Sequence, residues 1–254
     1  MSGLTPFDVM MRKDIEKTFN ELLVEARNIY EEAKKDGIKP LLYGSVAFYY
    51  KAKENKVAVE LLKLYRKSED IDINFLVKPE DRDKFKGLIT NLEYTPYFHL
   101  EKVLGDVAGM FFKENVIVKV YYFNEMRFNH VIPVNWDSDF TLDDEDLILS
   151  KLQRHNPVNK DLADIASLLL VKDVKEDKIL ELTSADWGLW KDVTDNLMKL
   201  RQLLSNLVAD EIKEREEVMP VISKVVKLHG KIMNHPKKES WKPLPLDAKY
   251  WSDF

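Results

Sequence analysis

The chain has 254 residues, no cysteine and a formal net charge of -5, with 45% hydrophobic and 33% charged residues. That length suits one domain with an appended helical part, and the composition supports a real core under a heavily charged surface, which excludes extended disorder away from the ends. Lack of cysteine excludes a disulfide framework and a thiolate metal site, the acidic balance argues against strong non-specific nucleic-acid binding, and no apolar run approaches the roughly 20 residues of a membrane helix.

With no signal-like start, a cytoplasmic protein without membrane association is expected. The joint abundance of lysine and glutamate is also compatible with a thermophilic source.

From Asp14 to Lys35, apolar residues such as Ile15, Phe19, Leu22, Ala26 and Ile29 recur at three- and four-residue intervals, which predicts an amphipathic helix stopped by Gly37. "IKPLLYG" reads as a buried strand, and "VAFYYKA" as a helix opening directly from Gly44-Ser45. The stretch Lys53 to Ser68 is helix-compatible. "DIDINFLV" then alternates, with Ile71, Ile73 and Phe75 on one strand face and Asp70, Asp72 and Asn74 on the other. Lys78-Pro79 ends that strand, and "EDRDKFKGLITNL" supplies an acid-initiated helix.

Two or three strands are expected between Tyr97 and Phe123, with a hairpin turning at Lys113, Glu114 and Asn115. Helices follow from Leu142: an acidic start at "DDED", a break at Asn156-Pro157, a second helix near Asp161 to Val171, then a long helical stretch from Ser184 to Asn234 interrupted at Pro220. The last residues, with three prolines after Asn234, read as a tail laid across the surface. The expected organisation is an α/β (α+β) mixed-sheet domain over 1–140 and a helical part with its tail over 141–254.

Transfer of a nucleotidyl group is an in-line attack on a phosphorus crowded by negative oxygens, so a divalent cation must be held against carboxylates and polyphosphate together. Aspartates at i and i+2 of a strand, here Asp70 and Asp72, project from one face and can share one or two Mg²⁺ ions. Gly44-Ser45 at a helix start offers backbone N-H groups, a hydroxyl and the positive end of the helix dipole to a phosphate. Each half alone has an ordinary structural explanation. The order strand, Gly-Ser, helix, strand with Asp-x-Asp is more specific.

That order resembles the nucleotidyltransferase superfamily (DNA polymerase beta-like fold), through Tyr43-Gly44-Ser45 and Asp70-Ile71-Asp72-Ile73. "LILSKLQRHNPVNKDLADIASLL" resembles the corresponding segment of the abortive-infection toxin branch, with Lys151, Lys160, Asp161 and Asp164 in its characteristic places. The resemblance spans about Lys39 to Leu170.

It implies a nucleotidyltransferase-like core and Mg²⁺-dependent transfer from a nucleoside triphosphate to a protein or RNA acceptor, in a toxin-antitoxin-like setting. Asp70 and Asp72 would hold the metal and, with Lys151, serve catalysis; Gly44, Ser45 and Asp161 would serve nucleotide binding, Asp161 by orienting Lys151 or by helping to fix the helical half against the sheet. The family's third carboxylate falls at Tyr121, which implies slow turnover or turnover only with a special acceptor; Glu114 and Glu125 flank the same strand, and either would take that place in a different register. A catalytically impaired nucleotide- or RNA-binding module, or a protein-interaction partner, are the alternatives. The five histidines are too dispersed in sequence to suggest a metal site, and no zinc is expected.

Overall fold

The computed structural model describes residues 6–245 and Tyr250, with side chains from Asp14 onward. The chain forms two units: 1–53, 66–126 and 133–143 make the first, and 54–65, 127–132 and 144–254 the second. The second unit therefore draws on two short excursions from the sheet-forming part of the sequence as well as on the helical part.

The apolar stripe expected near the start is buried along α1 (Pro6–Lys35), and Gly37, at φ +75°, takes the left-handed conformation that ends it. Next come β1 (Leu41–Tyr43), α2 (Ser45–Ala52) and α3 (Lys56–Lys63), the last capped by the Asn55 side chain. After a short 3-10 turn at Ser68–Asp70 the chain enters β2 (Ile73–Val77), α4 (Arg82–Asn91), β3 (Thr95–Pro96), α5 (Phe98–Leu104), β4 (Ala108–Lys113) and β5 (Val116–Tyr122). A small hairpin of β6 (Glu125–Arg127) and β7 (Val131–Pro133) follows. The helical half contains α6 (Asp144–Leu152), α7 (Asn159–Val171), α8 (Asp177–Ala185), α9 (Trp187–Ala209) and α10 (Arg215–Asn234).

In the first unit the sheet runs β1-β2-β5-β4-β3 and is mixed: β2 and β5 are parallel, while the other neighbours are antiparallel. Alternation sorts the two faces. Phe75, Val77, Val118 and Val120 are fully buried, whereas Asn74, Lys119 and Tyr121 at intervening positions are only half-buried. The apolar face carries α1, α2 and α4, with Phe85 of α4 edge-on to Phe75. The outer edge of β1 is closed by residues 140–142, through Leu42 N-H to Phe140 O and Leu142 N-H to Leu42 O.

In the second unit α9 is the central helix, burying Leu189, Val193, Leu197, Leu200 and Leu204 against α10 and the neighbouring helices, while α3 packs on α7. Among the described residues no helix is long and apolar enough to cross a membrane.

Four local expectations need correction. β2 begins only at Ile73, so Asp70 and Asp72 precede the strand; hydrogen bonding within the Ser68–Asp70 turn takes up that stretch instead. Residues 98–104, expected among strands, form α5, which has no buried residue and hence no apolar period to announce it.

The expected helix Lys53 to Ser68 is only α3, because Leu64 takes an extended conformation and Tyr65 a left-handed one. The long C-terminal helix breaks at residues 210–214, with Glu211 at φ +56°, and not at Pro220. Pro220 lies near the start of α10 and forfeits only its bond to the first turn. Of the expected surface tail, residues 246–249 and 251–254 lie outside the described residues.

Candidate functional site

Two groups of expected site residues emerge, one in each unit. In the first unit, β1 hands over to α2 through Gly44, which adopts φ +74° as the helix N-cap. A Cβ at that position would lie 3.1 Å from Nδ2 of Asn74, so glycine permits both the turn and close packing on β2. The antiparallel pairing Tyr43 with Asn74 sets this contact. Ser45, the first residue of α2, is 8% exposed.

Asn74 Nδ2-H donates in turn to the Asp72 carbonyl at 3.0 Å. Gly44 is thus linked through one side chain to the residue expected to bind metal.

Asp72 itself is already engaged. Lys119 Nζ donates to its Oδ2 at 2.5 Å, across the parallel pairing that sets Asn74 beside Lys119. Side-chain exposures of 35% for Lys119 and 16% for Asp72 leave this pair accessible from one side. Asp70 is used differently, since its Oδ2 accepts from the Lys67 backbone N-H at 3.1 Å and so closes the 3-10 turn.

Tyr121 is not the strand neighbour of Asp72. It pairs with Leu76, four residues farther along β2, or about 13 Å at the usual strand rise. The β5 side chain that reaches Asp72 is Lys119, and neither β4 nor β5 carries a carboxylate. The sequence-based alignment of Tyr121 with a third carboxylate near Asp72 therefore fails on register.

In the second unit, Lys151 from the last turn of α6 lies between two carboxylates at the start of α7. Its Nζ is 2.6 Å from Asp161 Oδ1 and 3.0 Å from Asp164 Oδ2. Asp161 also accepts from Arg154 at 2.9 Å and from the Val158 backbone N-H at 3.3 Å, so it caps α7 and orients Lys151 at once. Burial pushes the Asp161 carboxyl up, but the charges of Lys151 and Arg154 outweigh it and hold it below the usual carboxylate range. Lys151 is only 10% exposed at the side chain against 42% for Arg154, so Arg154 is the cation of this network that meets solvent. Sequence reasoning missed Arg154, although its position three residues after Lys151 on the same chain reversal was a signal.

A third group was missed entirely. His130 in the β6–β7 turn, His155 after α6 and Asp192 on α9 converge in the second unit, with their ligand-type atoms all within 4.8 Å of one another. His130 Nε2 is 2.6 Å and His155 Nδ1 2.7 Å from the same oxygen, Asp192 Oδ2. The Tyr250 hydroxyl donates to the other oxygen, Oδ1, at 2.8 Å. Burial pushes the His130 imidazolium down, but Asp186 and Asp192 outweigh this and raise it to about 9. These residues come from three separate stretches of chain and carry no local spacing motif. Comparison with protein-family models, curated proteins and solved structures finds no match to this chain.

Proposed function

We propose that the first unit binds a Mg²⁺-nucleoside triphosphate at Gly44, Ser45, Asp72 and Lys119, as a nucleotidyltransferase-type module that passes the nucleotidyl group slowly to a protein or RNA acceptor. The observation that carries this reading is the β1, Gly44-Ser45, α2 junction packed directly on Asn74, two residues from Asp72 on the adjacent antiparallel strand.

A polyphosphate at the start of α2 would meet the positive end of the helix dipole. Mg²⁺ usually takes one or two protein carboxylates and completes its shell with phosphate oxygens and water, a pattern that Asp72 fits. The ion, when bound, neutralises charge on the phosphates. Lys119 then exchanges its contact with Asp72 for a phosphate oxygen, a charge-assisted bond of comparable strength. Slow turnover follows from the lack of any carboxylate on β4 and β5 to accept the acceptor's proton.

The second reading is nucleotide binding without transfer, favoured by the Lys119–Asp72 pair itself, which supplies a resident cation where a catalytic metal would sit. Incubation with α-labelled nucleoside triphosphates, Mg²⁺ and candidate protein and tRNA acceptors separates the two. Slow, Asp72-dependent labelling is expected; saturable binding with no label after long incubation would leave the second reading.

A further inference from the structure

We propose that His130 Nε2, His155 Nδ1 and Asp192 Oδ2 bind a single divalent transition-metal ion of the zinc type in the second unit. Two imidazole nitrogens and one carboxylate oxygen are an established three-ligand donor set for Zn²⁺, with a fourth position left for water or a further group. Nitrogen donors select against Mg²⁺ and Ca²⁺, which take oxygen shells.

Ligands about 2.0–2.1 Å from a tetrahedral ion stand about 3.3 Å apart. The present separations of 2.6 Å and 2.7 Å are hydrogen bonds, in which a ring proton sits where the ion would draw both atoms. Replacing those protons by one cation needs the two contacts to open by about 0.6–0.7 Å, within reach of small side-chain rotations. Each metal-facing ring nitrogen gives up its proton, an imidazolium to solvent and a neutral ring to its other nitrogen, so that a neutral imidazole lone pair becomes the metal bond.

The surroundings are built for this exchange. His130 Nδ1 lies 3.6 Å from Asp186 Oδ2, just beyond hydrogen bonding, so a small ring rotation would form the carboxylate-histidine bond that orients metal-binding imidazoles. Tyr250 holds Oδ1 of Asp192, which turns Oδ2 toward the two histidines. The backbones are cross-tied as well: His130 N-H donates to Gln153 Oε1 at 3.0 Å and His155 N-H to Asn129 Oδ1 at 3.4 Å, so each histidine is anchored by a near neighbour of the other. Side-chain exposures of 8%, 6% and 3% for His130, His155 and Asp192 make the site nearly dry, where the Asp192 carboxylate attracts a doubly charged ion more strongly than it would in water.

The test uses the full chain, stripped with a chelator and titrated with Zn²⁺ by calorimetry and with Co²⁺ by visible absorption. One ion per chain, tetrahedral-type Co²⁺ bands, and Zn²⁺-dependent shifts of the His130 and His155 ring signals in nuclear magnetic resonance of the native chain are expected. Asp186→Asn keeps a side chain able to cap α9, as Asp186 now caps Leu189 N-H, and should weaken Zn²⁺ binding about 10- to 100-fold. His130→Gln with His155→Gln should remove the site. Absence of stoichiometric Zn²⁺ and Co²⁺ binding by the native chain, or native-like affinity in the double variant, would overturn the proposal and leave a proton-held structural network.

Discussion

Lys119 Nζ stands 2.5 Å from Oδ2 of Asp72, so the carboxylate expected to hold Mg²⁺ holds a side-chain cation instead. The pairing follows from the parallel register of β2 and β5, which brings a four-carbon side chain alongside the start of β2. Its partial exposure leaves the pair open to a ligand from one side.

Replacing Lys119 should therefore cost binding and spare the fold. Lys119→Gln is expected to weaken affinity for nucleoside triphosphate with Mg²⁺ by about tenfold or more, the loss of one charge-assisted hydrogen bond to phosphate. Calorimetry checks the affinity and thermal melting the fold. Equal affinity in the variant would mean that Lys119 is a surface partner of Asp72 and nothing more.

A second carboxylate helps only where the register brings it to Asp72. Lys119→Asp should tighten binding of Mg²⁺ alone several-fold, whereas Tyr121→Asp, opposite Leu76, should not. Titration of both variants with Mg²⁺ compares them directly, and the reverse order would show that β5 is shifted from the register described.

Gly44 combines a left-handed backbone with a crowded Cβ position. Gly44→Ala should destabilise the chain by about 1–3 kcal/mol through backbone strain. Because Asn74 must move aside, Mg²⁺-nucleotide binding should fall as well. Urea unfolding gives the first number and calorimetry the second; a variant as stable as the parent would remove the packing argument for this glycine.

The Lys151–Asp161 pair should set the acid limb of stability. Asp161 has a folded pKa below its unfolded value of about 3.9, so its contribution is complete above that value and is lost as pH falls through the lower, folded one. Asp161→Asn should flatten unfolding free energy between about pH 5 and the acid transition. Lys151→Met, which removes the cation lying between two buried carboxylates, should cost about 3–5 kcal/mol at pH 7. Denaturant titrations across pH measure both, and an unchanged acid limb in Asp161→Asn would contradict the assignment.

Periodicity made much of this legible. The β4–β5 hairpin turns where Glu114 and Asn115 stand, α6 starts on its acidic run, and Gly44-Ser45 joins a strand to a helix, because each signal lies within a few neighbouring residues. What stayed hidden depends on distant pairing. "DIDINF" alternates like a strand from its first residue, yet hydrogen bonding in the Ser68–Asp70 turn delays the strand to Ile73. The contact of Lys119 with Asp72 spans 47 residues and that of His155 with Asp192 spans 37, separations at which no spacing rule operates. The Lys151–Asp161 pair, ten residues apart across one reversal, was within reach of the sequence.

Calorimetric titration of the native chain and of Asp72→Asn with ATP, GTP, CTP and UTP, each with Mg²⁺, tests nucleotide binding at the first unit most directly. The native chain should bind at least one of the four at a single site, with affinity that falls at least tenfold without Mg²⁺ and at least tenfold in Asp72→Asn while the variant's melting stays close to the parent's. Absence of binding by the native chain, or equal binding by the variant, would contradict it.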